Sequence, residues 1–343
     1  MSLQSLISSV AVATFVPLMV VESSLAEVFD PRPLFDNFDS FTTLIPGNGD
    51  LADIYYPRIT ENSFEEFPVV VLLQGAFIDK SFYSEYAAQV SRYGFVVAVP
   101  NRSRFIPGLG VGLFSEVGQI DETINALKLE NNEPSSQLFG LVDTERSALL
   151  GHSFGAAVGL SAIGNLCLFL ICDGSFERPA SLLSGAFFGA NLRNQITNEP
   201  IPIANDGISI ALLQGDIDGV ASFSNAEATF DSIATPPATL VTLAGINHFG
   251  ITNENNPDGT SVDPNIPTVP QAVSIETIAR LSGLFLRATT LDDSEAFDYI
   301  FDTGADLDPN VSAVEVLSVP EPHSLWWQVI FCAFFFFLLP KKH

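Results

Sequence analysis

Ala148-Leu149-Leu150-Gly151-His152-Ser153-Phe154-Gly155-Ala156-Ala157-Val158-Gly159 joins a short apolar run to a small-residue helix through a G-x-S-x-G turn. The glycines at 151 and 155 matter because side chains there would collide with neighbouring backbone on so tight a strand-to-helix turn, whose apex lifts the Ser153 hydroxyl clear. Five such residues occur often by chance. A strand before them and a helix after them are what give the pattern meaning.

Outward from that turn, strand and helix patterns alternate. Phe67-Pro68-Val69-Val70-Val71-Leu72-Leu73 is a continuous apolar run, as in a strand buried on both faces, and it stops at Gln74-Gly75. Ser81 is placed to cap a helix through Tyr93, with Phe82, Tyr86, Ala87 and Val90 at helical spacing and Gly94 ending it. Phe95 to Val99 reads as the next strand. Ser115 to Glu130 reads as a helix with Val117, Ile120, Ile124 and Leu127 on one face. Further short strands are expected at Leu182 to Phe188, Ile208 to Leu213 and Leu240 to Leu243. This alternation predicts an α/β fold, a mainly parallel sheet with helices on both faces.

A serine hydroxyl needs a base within hydrogen-bond reach to act as a nucleophile. The chain has four histidines. His152 lies inside the turn, His323 and His343 sit at the C-terminal end, and His248 follows the last expected strand in Gly245-Ile246-Asn247-His248-Phe249-Gly250. His248 is therefore the candidate base. A buried carboxylate should orient its ring, and Gln214-Gly215-Asp216-Ile217-Asp218-Gly219 offers Asp216 and Asp218 at the end of another strand. Oxyanion donors are expected from the backbone N–H of Phe154, which follows the nucleophile, and from the loop after the Val69 to Leu73 strand, at Ala76. This acyl-transfer chemistry requires no metal or organic cofactor. Asp302-x-x-x-Asp306-x-Asp308 does not have the spacing of an EF-hand and reads as a solvated acidic face.

With Ser153, an acid at 216 or 218 and His248 in that order, the stretch from Asp53 to Arg287 resembles the α/β-hydrolase superfamily. Leu72-Leu73-Gln74-Gly75, Ser81-Phe82-Tyr83-Ser84 and Tyr93-Gly94-Phe95-Val96-Val97-Ala98-Val99-Pro100 are similar to the branch of chlorophyllases, cutinase-like polyester hydrolases and platelet-activating-factor acetylhydrolase relatives. The resemblance implies a serine esterase acting on lipid, polyester or chlorophyll-like esters, and it favours Asp218 as the acid through its Gly-x-x-Asp pattern. Gln74-Gly75 stands where chlorophyllases usually carry His-Gly, and Ala156 where they carry a second glycine.

The ends carry a different signal. Residues 1–26 hold an apolar run from Leu6 to Val21 and then Ser24-Leu25-Ala26, a small-x-small site for signal peptidase. Val319-Pro320-Glu321-Pro322, the apolar stretch Leu325 to Leu339 and Lys341-Lys342-His343 resemble a PEP-CTERM sorting signal, which implies an exosortase and a membrane-embedded helix before processing. The resulting layout is a signal peptide at 1–26, a hydrolase domain at 27–289, an acidic segment at 290–318 and a sorting tail at 319–343. It implies an exported protein, either membrane-anchored or at the cell surface. A second class is a non-catalytic hydrolase-fold protein held at the surface or in an extracellular matrix by that tail.

Lys+Arg 14 against Asp+Glu 40 leaves a net charge of −26 in 343 residues, which excludes nucleic-acid binding through phosphate neutralisation. The 47% hydrophobic fraction excludes a disordered acidic chain. Between Arg193 and Arg280, the stretch holding Asp218 and His248, there is no Lys or Arg. The resulting negative field would disfavour anionic substrates, with solubility in saline water as the plainer use. With 3 cysteines the chain is no disulfide-built scaffold. A Cys167 to Cys172 bridge is compatible with export, but that spacing within one helix would hold the α-carbons too far apart.

Overall fold

The structure is a computed structural model that describes residues 29–59, 66–194, 196–302 and 308–317. The signal peptide and sorting tail read from the sequence lie outside the described residues. The chain divides after Asp30, and the fold belongs to the unit from Pro31 onward. Among the described residues a nine-stranded sheet runs β1 (Phe38–Leu44), β2 (Leu51–Pro57), β4 (Val96–Pro100), β3 (Phe67–Leu73), β7 (Val142–His152), β8 (Leu182–Phe188), β9 (Ser209–Gly215), β10 (Ala238–Leu243) and β11 (Val311–Leu317). From β4 to β10 every neighbour is parallel; β1, β2 and β11 add antiparallel edges. The fold is thus mixed α/β with a large, mostly parallel sheet.

The apolar run at Phe67–Leu73 is buried throughout because helices cover both sides of it. Val69, Val71 and Leu73 point into the core shared with α2 (Gly118–Asn132), α3 (Phe154–Ile163) and α4 (Phe223–Phe230). The alternate residues Val70 and Leu72 are equally buried on the other face. There α1 (Ser84–Ser91) packs against α5 (Gln271–Thr290), and the Tyr86 hydroxyl donates to Ser282 Oγ at 2.9 Å. β1 shows the opposite pattern, with exposed and half-buried residues alternating along Phe-Asp-Ser-Phe-Thr-Thr-Leu, as suits a strand with one open face.

Several boundaries differ from the sequence expectation. The helix expected from Ser81 opens instead with a 3₁₀ turn, Lys80–Tyr83, capped by Asp79, whose carboxylate accepts the Ser81 N–H at 2.9 Å. The Ser115 to Glu130 helix starts at Gly118. The strand read at Ala148 to Leu150 is the end of an eleven-residue strand, because pairing with β3 begins at Phe67↔Val142. The stretch set apart as an acidic segment at 290–318 supplies α6 (Ser294–Phe301), which packs on α5, and β11, which pairs with β10. Asp308 is not a solvated acid: it is buried and ion-paired to Arg280, and its carboxylate accepts the Asn310 N–H at 2.9 Å. Asp306 lies outside the described residues.

Cys167 and Cys172 form a disulfide with their α-carbons 5.1 Å apart. The spacing objection raised from the sequence applies only within one helix, and neither cysteine lies in a helix. α3 stops at Ile163, so both cysteines sit in the loop beyond it, where the chain can turn back on itself. Among the described residues no helix is long and apolar enough to cross a membrane.

Candidate active site

Ser153 stands at the carboxyl end of β7, one residue before α3, with φ 54° and ψ −115°. A non-glycine residue there is strained, at a cost of about 1–3 kcal/mol. The strain persists because the surroundings over-determine the turn. The Ser153 N–H donates to Phe188 O at 3.0 Å, and its carbonyl accepts from Ala157 at 3.1 Å as the helix starts. A Cβ on Gly155 would run into the Leu73 carbonyl and one on Gly151 would lie 2.8 Å from Ala156 Cα, so both flanking positions admit only glycine.

Asp218 and His248 come together at the carboxyl ends of β9 and β10. His248 Nδ1 lies 2.8 Å from Asp218 Oδ2, and both side chains are almost wholly buried. The other carboxylate oxygen accepts the N–H groups of Val220 and Ala221 at 2.9 and 2.7 Å, which sets the carboxylate plane. Asp216 is placed elsewhere: it is exposed and its Oδ1 accepts the Gly245 N–H at 2.7 Å, closing the two loops from outside. Gly189, at φ 63°, makes room for the pair. A Cβ there would sit 3.2 Å from His248 Nδ1 and 3.4 Å from Asp218 Oδ2. The sequence signal for it is only a glycine directly after a buried strand.

Asp263 escaped the sequence reading, since Ser261-Val262-Asp263-Pro264-Asn265 looks like a plain loop. It is 3% exposed, and its Oδ2 accepts the backbone N–H of His248 at 2.9 Å and of Gly219 at 3.1 Å. One carboxylate thus clamps the His248 loop to the Asp218 loop. Asp263→Ala is expected to destabilise the fold by about 1–3 kcal/mol, the usual cost of orphaning a buried amide, and Asp263→Asn by less because it keeps an acceptor. Urea denaturation of the two variants checks this; equal midpoints for wild type and Asp263→Ala would contradict it.

Among the described residues, neither of the two amides expected to hold an oxyanion has a hydrogen-bond acceptor. In the loop after β3, Gly75 N–H donates to Tyr83 Oη at 2.8 Å and Phe77 N–H to Leu113 O at 2.8 Å, leaving Ala76 between them. Phe154 is the first residue of α3, so its N–H has no intrahelical acceptor. The first turn of α3 abuts this loop, since a Cβ on Gly155 would also come within 2.6 Å of Gln74 O. The Phe77 and Phe154 side chains flank the amides, and the Phe114 ring lies 4.7 Å from the first and 5.9 Å from the second.

His152 is wholly buried, with its ring 4.8 Å from that of His248 and its Nε2 2.9 Å from the His248 carbonyl oxygen. Burial, and secondarily the neighbouring His248, hold its pKa well below the usual histidine value; the bond to the His248 carbonyl opposes this only in part. The folded protein therefore keeps His152 neutral while an unfolded chain takes up a proton below about pH 6.5. Stability from this group is complete above that pH and declines as pH falls, by roughly 1.4 kcal/mol per pH unit for one proton. Unfolding free energies between pH 6.5 and 5 should show this slope, and His152→Gln should lack it.

Ser153 Oγ forms no hydrogen bond to His248 in this structure. With Nδ1 on Asp218, Nε2 is the ring nitrogen left to accept a proton. Among the described residues no group of three or more His, Cys, Asp or Glu is placed to hold a metal ion. The chain matches no known family model and no curated protein.

Proposed function

We propose that this chain is an exported serine hydrolase of the α/β-hydrolase fold that cleaves carboxylic esters through an acyl-enzyme. The observation that carries the reading is the buried Asp218–His248 pair at 2.8 Å, placed with a strained serine turn at the carboxyl ends of neighbouring parallel strands, the usual position of ligand sites in such sheets.

In the proposed reaction Ser153 Oγ attacks the ester carbonyl as its proton passes to His248 Nε2. The Ala76 and Phe154 amides receive the developing negative charge, and Asp218 holds the imidazolium through Nδ1–H. The carbon–oxygen bond to the alcohol then breaks, with His248 returning the proton to the leaving oxygen. Water, deprotonated by the same nitrogen, attacks the acyl carbonyl, and His248 passes that proton to Ser153 Oγ as the ester bond to the enzyme breaks, releasing the acid and free Ser153. The apolar trio Phe77, Phe114 and Phe154 beside the amides supports an apolar acyl group, in keeping with lipid, polyester or chlorophyll-like esters. Export is supported by the Cys167–Cys172 disulfide, a bond that persists in oxidising compartments. In this reading signal peptidase and an exosortase are the processing partners, and the tail is the membrane anchor before processing.

A fluorophosphonate probe tests the reading on the full-length chain. The expected result is a single covalent adduct that peptide mass mapping places on Ser153. Folded protein that takes no label, or takes it elsewhere, would favour a non-catalytic surface protein.

A further inference from the structure

We propose that His152 is a positioning residue. With Tyr83 and Gly75 it forms a buried hydrogen-bonded strut that ties the oxyanion loop, the nucleophile turn and the base loop into one unit. The proposal rests on the hydrolase reading and extends it to a residue that otherwise merely occupies the variable position of G-x-S-x-G.

The bonds run in series. Gly75 N–H donates to Tyr83 Oη at 2.8 Å, Tyr83 Oη lies 3.0 Å from His152 Nδ1, and His152 Nε2 lies 2.9 Å from the His248 carbonyl oxygen. Their polarity follows from the partners. A carbonyl only accepts, so Nε2 carries the hydrogen; Nδ1 of the neutral ring is then an acceptor, and it takes the one hydroxyl hydrogen of Tyr83. That hydroxyl in turn uses a lone pair for Gly75. Each group is satisfied in a single direction, and Tyr83 and His152 are fully buried, with His248 2% exposed. Burial raises the Tyr83 pKa and lowers that of His152, so both stay uncharged and the strut keeps this polarity across the working pH range.

The strut joins segments far apart in sequence, by 69 residues from Tyr83 to His152 and 96 from His152 to His248. Each segment carries one functional atom set: Ala76 N–H next to Gly75, Ser153 Oγ next to His152, and the His248 ring on the residue whose carbonyl is held. Asp218 fixes the His248 ring from one side and Asp263 its amide. The strut fixes its carbonyl. A ring that only filled space would contact these loops without dictating their register.

The test uses full-length wild type, Tyr83→Phe, His152→Phe, His152→Gln and the double variant Tyr83→Phe/His152→Phe. It measures kcat and KM on a p-nitrophenyl ester, fluorophosphonate labelling rate, and near-ultraviolet circular dichroism for packing. Tyr83→Phe and His152→Phe should each lower kcat about 10- to 100-fold, the scale of a misplaced reacting group, with KM within about twofold. The double variant should fall no further than His152→Phe, because one strut can be broken only once. His152→Gln keeps a donor for the His248 carbonyl and should recover most of the lost kcat. If His152→Phe does not fold, Tyr83→Phe, which removes a single oxygen, carries the test. An active wild type whose folded variants keep kcat within about twofold, or whose two losses multiply in the double variant, overturns the strut alone. A wild type with neither turnover nor label overturns the hydrolase reading and the strut with it.

Discussion

Ser153→Ala is expected to lower kcat on a p-nitrophenyl ester by roughly 10⁶-fold while KM changes little, and to abolish the fluorophosphonate adduct. The size follows from the proposed chemistry: without the hydroxyl no acyl-enzyme could form, and only the Ala76 and Phe154 amides and substrate binding would remain to favour attack by water. The fold should be nearly indifferent. The turn is held by backbone bonds to Phe188 and Ala157 and by glycines at 151 and 155, and none of these involves the serine hydroxyl. A melting temperature close to wild type together with the activity loss is the expected pair of measurements. Residual activity within tenfold of wild type would remove Ser153 from the mechanism.

Asp218→Asn should cost roughly 10⁴-fold in kcat, and the hydrogen bonds around the carboxylate say why. Val220 and Ala221 donate to Oδ1, so the amide oxygen of an asparagine must take that position. Its NH₂ group would then face His248 Nδ1 and donate to it. The ring proton is thereby driven to Nε2, the nitrogen that must be bare to accept the serine hydrogen. The NH₂ group would also meet Gln214 Nε2, a second donor, where the carboxylate accepts at 3.2 Å. Asp216→Asn is the control. Among the described residues the Asp216 carboxylate reaches only the Gly245 backbone, on the exposed side, and its loss should change kcat/KM by less than about threefold. Equal effects at the two positions would contradict the assignment of Asp218.

Much of the scaffold was legible because helices on both faces turn strands into local, unmistakable patterns. Phe67–Leu73 and Leu182–Phe188 match the expected strands residue for residue, since their limits are set by the neighbouring Gln74-Gly75 and Gly189. The half-exposed strands were not legible. β1 and β11 intersperse apolar residues with Ser, Thr, Asp or Glu without a strict period of two, and only a partner strand makes them part of a sheet. The hairpin β5 (Ser103–Ile106) and β6 (Gly110–Leu113) was hidden because each strand has only four residues, too few to show a period.

For the candidate site, local patterning and elimination among a few histidines sufficed to nominate Ser153, His248 and the loop at Ala76, because a tight turn and a loop after a buried strand leave their marks in neighbouring residues. The choice of Asp218 over Asp216 was different in kind, since the two lie in one short loop and only the packed chain shows which of them meets His248. The same holds for the Asp263 clamp, the room at Gly189, the Cys167–Cys172 bond and the Tyr83–His152 strut. Each depends on distances between loops gathered at one end of the sheet, and no single segment encodes its distance to another.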